Sequence, residues 1–324
     1  MQIGATNVNA AAFHRSLHLN ESDLVPLDPR CLFCSSTNRE NVFSLQENPD
    51  VLLLQCQDCH ATSASRIPTE ATLAQYYGGY YDSAPTEATD GEVTFDRPLR
   101  LARRLANTDH RFQRDASMSI LDFGGGDGTI SYLLANQIIE QGVAQVNVTV
   151  VEYSQKIVAS QDPRIVMKRV DSLEDIRGKF GYVIASAIIE HYSSPHLLLR
   201  DLLNRMEDGG LFYARTPHMV PIMRLLQPIG VNVDFTYPGH LHDLGQAFWE
   251  SYFSKEQQND YRILESKPSI VETTLRKHFL RTIAAYVFKA PWHLFGRSYE
   301  YIGGWEVLIQ RKSGTHTSPA RSCL

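Results

Sequence analysis

The segment Ser119-Ile-Leu-Asp122-Phe-Gly124-Gly125-Gly126-Asp127-Gly128-Thr129 constrains the fold more than any other stretch of this chain. An apolar run enters a cluster of glycines, and a helical pattern from Ile130 to Leu134 leaves it. A strand that turns through glycines directly into a helix belongs to a parallel sheet covered by helices, and the missing Cβ atoms let a ligand approach the backbone closely. The surrounding sequence agrees. From about Ser117 to Gln310, short apolar runs alternate with amphipathic stretches. That alternation predicts strands at Ser119–Phe123, Asn147–Glu152, Ile165–Val170, Tyr182–Ser186, Leu211–Arg215 and Trp305–Gln310. The loop is not a dinucleotide fingerprint. A G-x-G-x-x-G frame opened at Gly124 ends on Thr129, where that motif needs glycine or alanine.

A chain of 324 residues with 43% hydrophobic side chains can bury one large core and carry a smaller appendage. The net charge of −5 disfavours a protein that holds nucleic acid by neutralising phosphates. No apolar run approaches the roughly 18 residues that span a bilayer. The N-terminus lacks a basic start followed by an apolar stretch, so a cytoplasmic location is expected.

Four of the five cysteines form two pairs, Cys31-Leu-Phe-Cys34 and Cys56-Gln-Asp-Cys59, separated by 21 residues. Two such knuckles supply four thiolates to one tetrahedral zinc. Phe43 and the run Val51–Leu54 provide strands for a hairpin between them. Four thiolates leave no open coordination position, so the expected metal is structural rather than catalytic. His60 follows the last cysteine and is read as a bystander.

These features divide the chain into a loose lead-in (1–27), a zinc ribbon (28–65), a Tyr-rich cap and helix (66–115), the main α/β core (116–312) and a disordered tail (313–324). Within the core, Leu275, Phe279, Ile283 and Val287 recur four apart over 272–290, with Arg276, Lys277, Arg281 and Lys289 nearby. A basic amphipathic helix of this kind can lie on a membrane. The ordinary reading packs the apolar stripe on the domain and leaves the basic face in water, so no membrane partner is expected.

The pattern D-x-G-x-G-x-G from Asp122 to Gly128 resembles motif I of the class I S-adenosylmethionine (SAM) methyltransferases. The remaining motifs follow in order. The second predicted strand ends in Glu152, the third runs into Val170-Asp171-Ser172-Leu173, and the fourth leads to Ile189-Glu190-His191. The resemblance implies a Rossmann-like sheet with helices on both faces, beside the small zinc ribbon. It implies that Asp122 anchors the amino-acid end of SAM through the loop of Gly124, Gly126 and Gly128. Glu152 would accept hydrogen bonds from the ribose hydroxyls, and Asp171 and Ser172 would line the adenine. A ribbon, then Leu73-Ala-Gln-Tyr76-Tyr77-Gly-Gly-Tyr80-Tyr81, then the SAM core, and finally Gly303-Gly304-Trp305 is similar to a bacterial subfamily that modifies sugars and other small metabolites.

Glu190 and His191 leave the end of a strand, where the pocket of an open α/β sheet lies. A histidine with an ordinary pKa near 6.5 suits general-base work at neutral pH. Glu190 can orient it or bind a substrate hydroxyl. The cluster Tyr237-Pro-Gly-His240-Leu-His242 offers His240 or His242 as alternative bases. Tyr77 and Tyr81 are the tyrosines expected near the sulfonium, where an aromatic face attracts a cation. The expected enzyme is a SAM-dependent methyltransferase acting on a sugar, nucleotide-sugar or natural-product intermediate at oxygen or carbon. The alternatives are an RNA methyltransferase whose ribbon holds RNA and a SAM-fold scaffold without turnover. The ribbon argues against RNA, because Arg39 faces Glu40, Glu47, Asp50 and Asp58.

Overall fold

The computed structural model describes residues 6–9, 16–82, 98–108, 117–153, 156–254, 260–271, 273–276 and 278–313. The N-terminal part contains β1 (Thr6–Asn9), β2 (Arg39–Gln46), β3 (Val51–Cys56) and β4 (Thr62–Ala64), followed by α1 (Glu70–Asp82) and α2 (Pro98–Thr108). The chain then alternates through β5 (Ser117–Phe123), α3 (Thr129–Glu140), β6 (Gln145–Val151), β7 (Ile165–Val170), β8 (Phe180–Ser186), α4 (Pro195–Asn204) and β9 (Met206–His218). It continues through α5 (Val220–Leu226), β10 (Val231–Asp234), β11 (His242–Asp243), α6 (Gln246–Ser254), β12 (Tyr261–Pro268), α7 (Phe279–Lys289), α8 (Trp292–Phe295) and β13 (Gly303–Arg311).

Among the described residues, seven strands form the main sheet in the order β12-β13-β9-β8-β5-β6-β7. Strands β5 to β9 pair in parallel, and β13 lies antiparallel between β9 and β12. Strand β5 explains why its sequence reads as a continuous apolar run. Met118 and Ile120 join the cluster under α2 and α3, while Leu121 and Phe123 join the cluster under α4 and α6. A strand buried on both faces has no polar alternation to show. Each fully buried aliphatic or aromatic side chain contributes roughly 1.5–3 kcal/mol. Leu101, Leu105, Leu134 and Ile138 fill one face, and Leu199, Leu202, Phe248 and Trp249 fill the other. The strand order reverses between β5 and β8, so the crevice at their carboxyl ends is where such sheets bind ligands.

The six predicted strands are all present: Ile165–Val170 keeps its bounds, the Asn147–Glu152 strand starts at Gln145 and ends at Val151, and the other four are longer than predicted. Strand β12 was not foreseen. It lies at the sheet edge, half-buried along its length, so its sequence lacks a strong apolar period.

Two expectations are corrected. The lead-in is not loose over residues 16–27: Leu19 and Leu24 are buried beside Val51 and Leu53, and Gln46 holds the backbone of Leu19 through hydrogen bonds of 2.8 and 2.9 Å. Nor does the stripe Leu275, Phe279, Ile283, Val287 pack on the domain; all four are exposed. The expected disordered tail lies, apart from Ser313, outside the described residues. No helix among those residues is long and apolar enough to cross a membrane.

Candidate functional site

The glycine loop sits at the carboxyl end of β5. Gly124 has φ of 66°, and a Cβ there would lie 2.6 Å from Ile188 Cγ1. Both the left-handed backbone and the close approach of the loop after β8 therefore demand glycine. Gly128 has φ of 80° at the start of α3, with Val150 Cγ2 2.9 Å from its ideal Cβ. Gly126 also has positive φ, at 58°. Beneath the loop Asp122 is buried, and its Oδ2 has no hydrogen-bond partner. Burial raises its pKa from 3.8 to about 6, against the opposing effect of the Ser131 hydroxyl. An orphaned carboxylate oxygen under a loop with no room for Cβ atoms fits a ligand that brings its own donors.

Glu152, at the end of β6, folds back onto this loop. Its Oε2 accepts from the Gly126 N–H at 3.1 Å, and its Oε1 accepts from the Tyr153 N–H at 2.8 Å. The structure thus brings Asp122, Gly126 and Glu152 together at the carboxyl ends of β5 and β6. Asp171 is placed less favourably. Its carboxylate is largely exposed and ion-paired with Arg169. The Ser172 hydroxyl accepts from the Glu174 N–H at 3.1 Å and caps a short helical turn. Tyr81 belongs to α1, but its side chain lies outside the described residues.

A second cluster gathers beyond β8. Ala187 has φ of 56°, a strained conformation for a residue with a Cβ. A short helical turn, Ile189–His191, follows it. The His191 Nδ1 approaches the carbonyl of Gly239, which can only accept, so Nδ1 carries the proton. The Tyr77 hydroxyl donates to the same carbonyl at 3.1 Å and sits 3.2 Å from Nδ1. In the neutral ring Nε2 of His191 therefore holds the lone pair, 4.0 Å from Glu190 Oε1. His240 is set the same way. The Thr236 hydroxyl donates to Phe235 O at 2.6 Å and so accepts from the His240 Nδ1–H at 3.0 Å. Ligand atoms of Glu190, His191 and His240 lie within 4.8 Å of one another. Glu190 is buried with Oε2 unpartnered, and desolvation raises its pKa to about 8 although the Arg215 guanidinium opposes this. At neutral pH it is mostly a neutral acid.

His242 drops out as a base. Its Nε2 donates to Tyr192 O at 2.8 Å and its Nδ1 accepts from the Ser63 hydroxyl at 2.9 Å, so neither nitrogen has a lone pair to offer. Burial lowers its pKa to about 4. The side-by-side His240/His242 metal pair is likewise absent, because the two rings serve different partners.

Two features escaped the sequence reading. Arg215 is buried near Glu190, and its one signal was a charged residue inside the apolar run Leu211-Phe-Tyr-Ala-Arg215. His218 Nδ1 meets Asp243 Oδ1 at 3.0 Å while Asp243 Oδ2 accepts from the backbone N–H groups of Met219 and Val220. No local pattern joins residues that far apart.

The four predicted metal ligands converge. Cys31 and Cys59 Sγ lie 3.5 Å apart, as do Cys34 and Cys56 Sγ, and all four sulfurs fall within 4.8 Å. Tetrahedral zinc with Zn–S near 2.3 Å separates its sulfurs by about 3.8 Å, so the cluster is compatible with a zinc ribbon. Both knuckles close alike. Ser35 N–H donates to Cys31 O and His60 N–H to Cys56 O, each at 2.9 Å, with φ of 61° and 62° at Ser35 and His60. His60 thus ends a turn and is exposed. The ribbon also reaches the second cluster: β4 pairs with β11, Ala64 N–H donates to Leu241 O, and Leu241 N–H donates to Glu190 O, both at 2.8 Å.

A family model described as "Methyltransferase domain" matches residues 95–257. The chain belongs to this methyltransferase family. With its seven-stranded Rossmann-like sheet and glycine loop, this methyltransferase is a SAM-dependent enzyme. Solved structures similar to it include the plantazolicin methyltransferase BpumL in complex with SAH, at 15% identity and a TM-score of 0.45, covering 74% of this chain and 94% of that one. Coclaurine N-methyltransferase bound to N-methylheliamine and SAH matches at 16% identity and a TM-score of 0.44, covering 76% and 83%. No curated protein sequence matches the methyltransferase.

Proposed function

We propose that this methyltransferase transfers the methyl group of SAM to oxygen or carbon of a small hydroxylated acceptor: a sugar, a nucleotide-sugar or a natural-product intermediate. When bound, SAM supplies an electrophilic methyl on a cationic sulfur. Asp122, Gly124, Gly126 and Gly128 would hold its amino-acid end, Glu152 its ribose, and Asp171 and Ser172 its adenine edge once Asp171 leaves Arg169. Tyr77 and Tyr81, which precede the core, would lend an aromatic face to the cationic sulfur. Methyl transfer is an in-line displacement, so positioning does much of the work.

The observation that carries the reading is the tautomer of His191. Its Nδ1 donates to Gly239 O, so in the neutral ring Nε2 keeps the lone pair beside Glu190, whose carboxyl pKa is raised by burial to about 8. Nε2 would take the proton of the acceptor, and Glu190 would donate a hydrogen bond to a second acceptor oxygen. His240, with the same tautomer, is the alternative base. The four-cysteine cluster would hold a structural zinc, which stiffens the ribbon that braces Leu241 and Glu190. A cytoplasmic location fits paired reduced thiols.

The test is methyl transfer from labelled SAM to a panel of nucleotide-sugars and hydroxylated metabolites, with His191→Gln alongside. Turnover that falls while affinity for S-adenosylhomocysteine (SAH) is kept supports the assignment. Transfer to RNA but to no small acceptor overturns it.

A further inference from the structure

Helix α7 is built inside out. Polar residues point inward beside the half-buried Ala285 and Phe288: Thr282 is buried and lies 2.7 Å from the Thr273 hydroxyl, and Lys289 Nζ donates to Ser269 O at 2.6 Å. Its outward residues are apolar. Phe279, Ile283 and Val287 lie four apart on one exposed face, and Leu280 beside them is 80% exposed. On α8, Leu294 is 83% exposed and Phe295 is exposed as well. Single exposed apolar side chains are ordinary, but a continuous set on one face marks a surface that something covers.

Charge selects what covers it. Besides the inward Lys289, the stretch 275–297 contains Arg276, Lys277, Arg281 and Arg297 and not one Asp or Glu, in a chain whose net charge is −5. Arg276 is exposed, and Arg297 is largely so although it reaches Glu250 at 3.1 Å. Two copies meeting through this face would press like charges together. A surface that is both apolar and anionic matches both properties. Tyr286, also exposed on α7, is the residue type that settles at headgroup depth.

We propose that residues 275–297 anchor this methyltransferase to an anionic lipid bilayer, with α7 lying in the plane of the headgroup–acyl boundary. The 11-residue helix is too short to cross. It is suited to lying on the surface, where buried apolar area and attraction of Lys and Arg to anionic lipid add together. The inference stands apart from the substrate reading, since it uses none of the pocket residues.

The experiment is co-sedimentation of the full chain with vesicles of phosphatidylcholine alone and of equal parts phosphatidylcholine and phosphatidylglycerol. A Leu280→Glu/Leu294→Glu double variant is compared, its fold checked by thermal melting and SAH binding. Both side chains already face solvent, so folding is retained. The expected result is pelleting with the anionic vesicles only, weakened by salt, and a partition coefficient lowered at least about tenfold in the double variant. Absence of anionic-vesicle binding at low salt overturns the proposal. So does undiminished binding by the double variant. A concentration-dependent dimer that the double variant abolishes, without vesicle binding, assigns the face to a second copy instead.

Discussion

Replacing Asp122 with asparagine tests the cofactor site most directly, because the structure predicts opposite effects on stability and binding. The Asp122 carboxyl is buried, with one oxygen unpartnered, and its pKa is raised from 3.8 to about 6. That displacement corresponds to about 3 kcal/mol of penalty for holding the ionised form. The sign follows from linkage. The folded state binds the proton more tightly than the unfolded state, so the penalty is absent below the ordinary pKa, grows between about pH 4 and 6, and is complete above that. At pH 7 Asp122→Asn relieves it, and the ligand-free variant gains up to about 3 kcal/mol, less whatever a buried amide without partners costs. Binding moves the other way. If the ionised carboxylate receives donors from the amino-acid end of SAH, the parent loses about tenfold in affinity from pH 7 to pH 5, as its ionised fraction falls by that factor. The variant loses a charge-assisted hydrogen bond, roughly 10- to 100-fold in affinity at pH 7, and its pH slope disappears over this range. Calorimetric titration with SAH from pH 5 to pH 8, beside thermal melts without ligand, reads both quantities. A variant that binds as tightly as the parent with the same pH slope refutes the reasoning.

Three further outcomes are expected. His191→Gln lowers turnover by roughly 10²–10⁴-fold while the SAH dissociation constant stays within a few-fold, measured by product formation and calorimetry. Glu190→Gln flattens the pH dependence of stability: the parent's buried carboxyl, raised from 4.5 to about 8, incurs a penalty that is absent below about pH 4.5 and builds up to several kcal/mol by pH 8. Melting curves from pH 5 to pH 9 should therefore converge at the acid end, with the variant more stable at the alkaline end. Cys56→Ser, or zinc chelation, abolishes stoichiometric zinc by metal analysis and lowers the melting temperature. It should also reduce turnover, because the ribbon holds Leu241 and Leu241 holds Glu190; a zinc-free protein of unchanged activity would sever that link.

The legible part of the site is the part made by neighbours in sequence. The glycine loop, Asp122 and the knuckles are local patterns, because close backbone approach and paired thiolates each require particular residues a few positions apart. Strand positions were legible wherever both faces are buried, as in β5 and β8, and illegible in β12, which sits half-buried at the edge. Glu190 and His191 were marked by their place after a strand, yet their chemistry was not: the choice between His240 and His242 depends on which backbone carbonyls and hydroxyls surround each ring.

By itself, then, the amino-acid order determined the parallel α/β sheet, the glycine loop and the convergence of four cysteine thiols, since these follow from periodicity, glycine freedom and ligand spacing. Tertiary structure alone decided the rest. It paired Asp243 with His218, set Arg215 against Glu190, and oriented α7. An amphipathic helix has an apolar face whichever way it is turned, and only packing against Ser269 and Thr273 sends its polar side inward and leaves Phe279, Ile283 and Val287 outside.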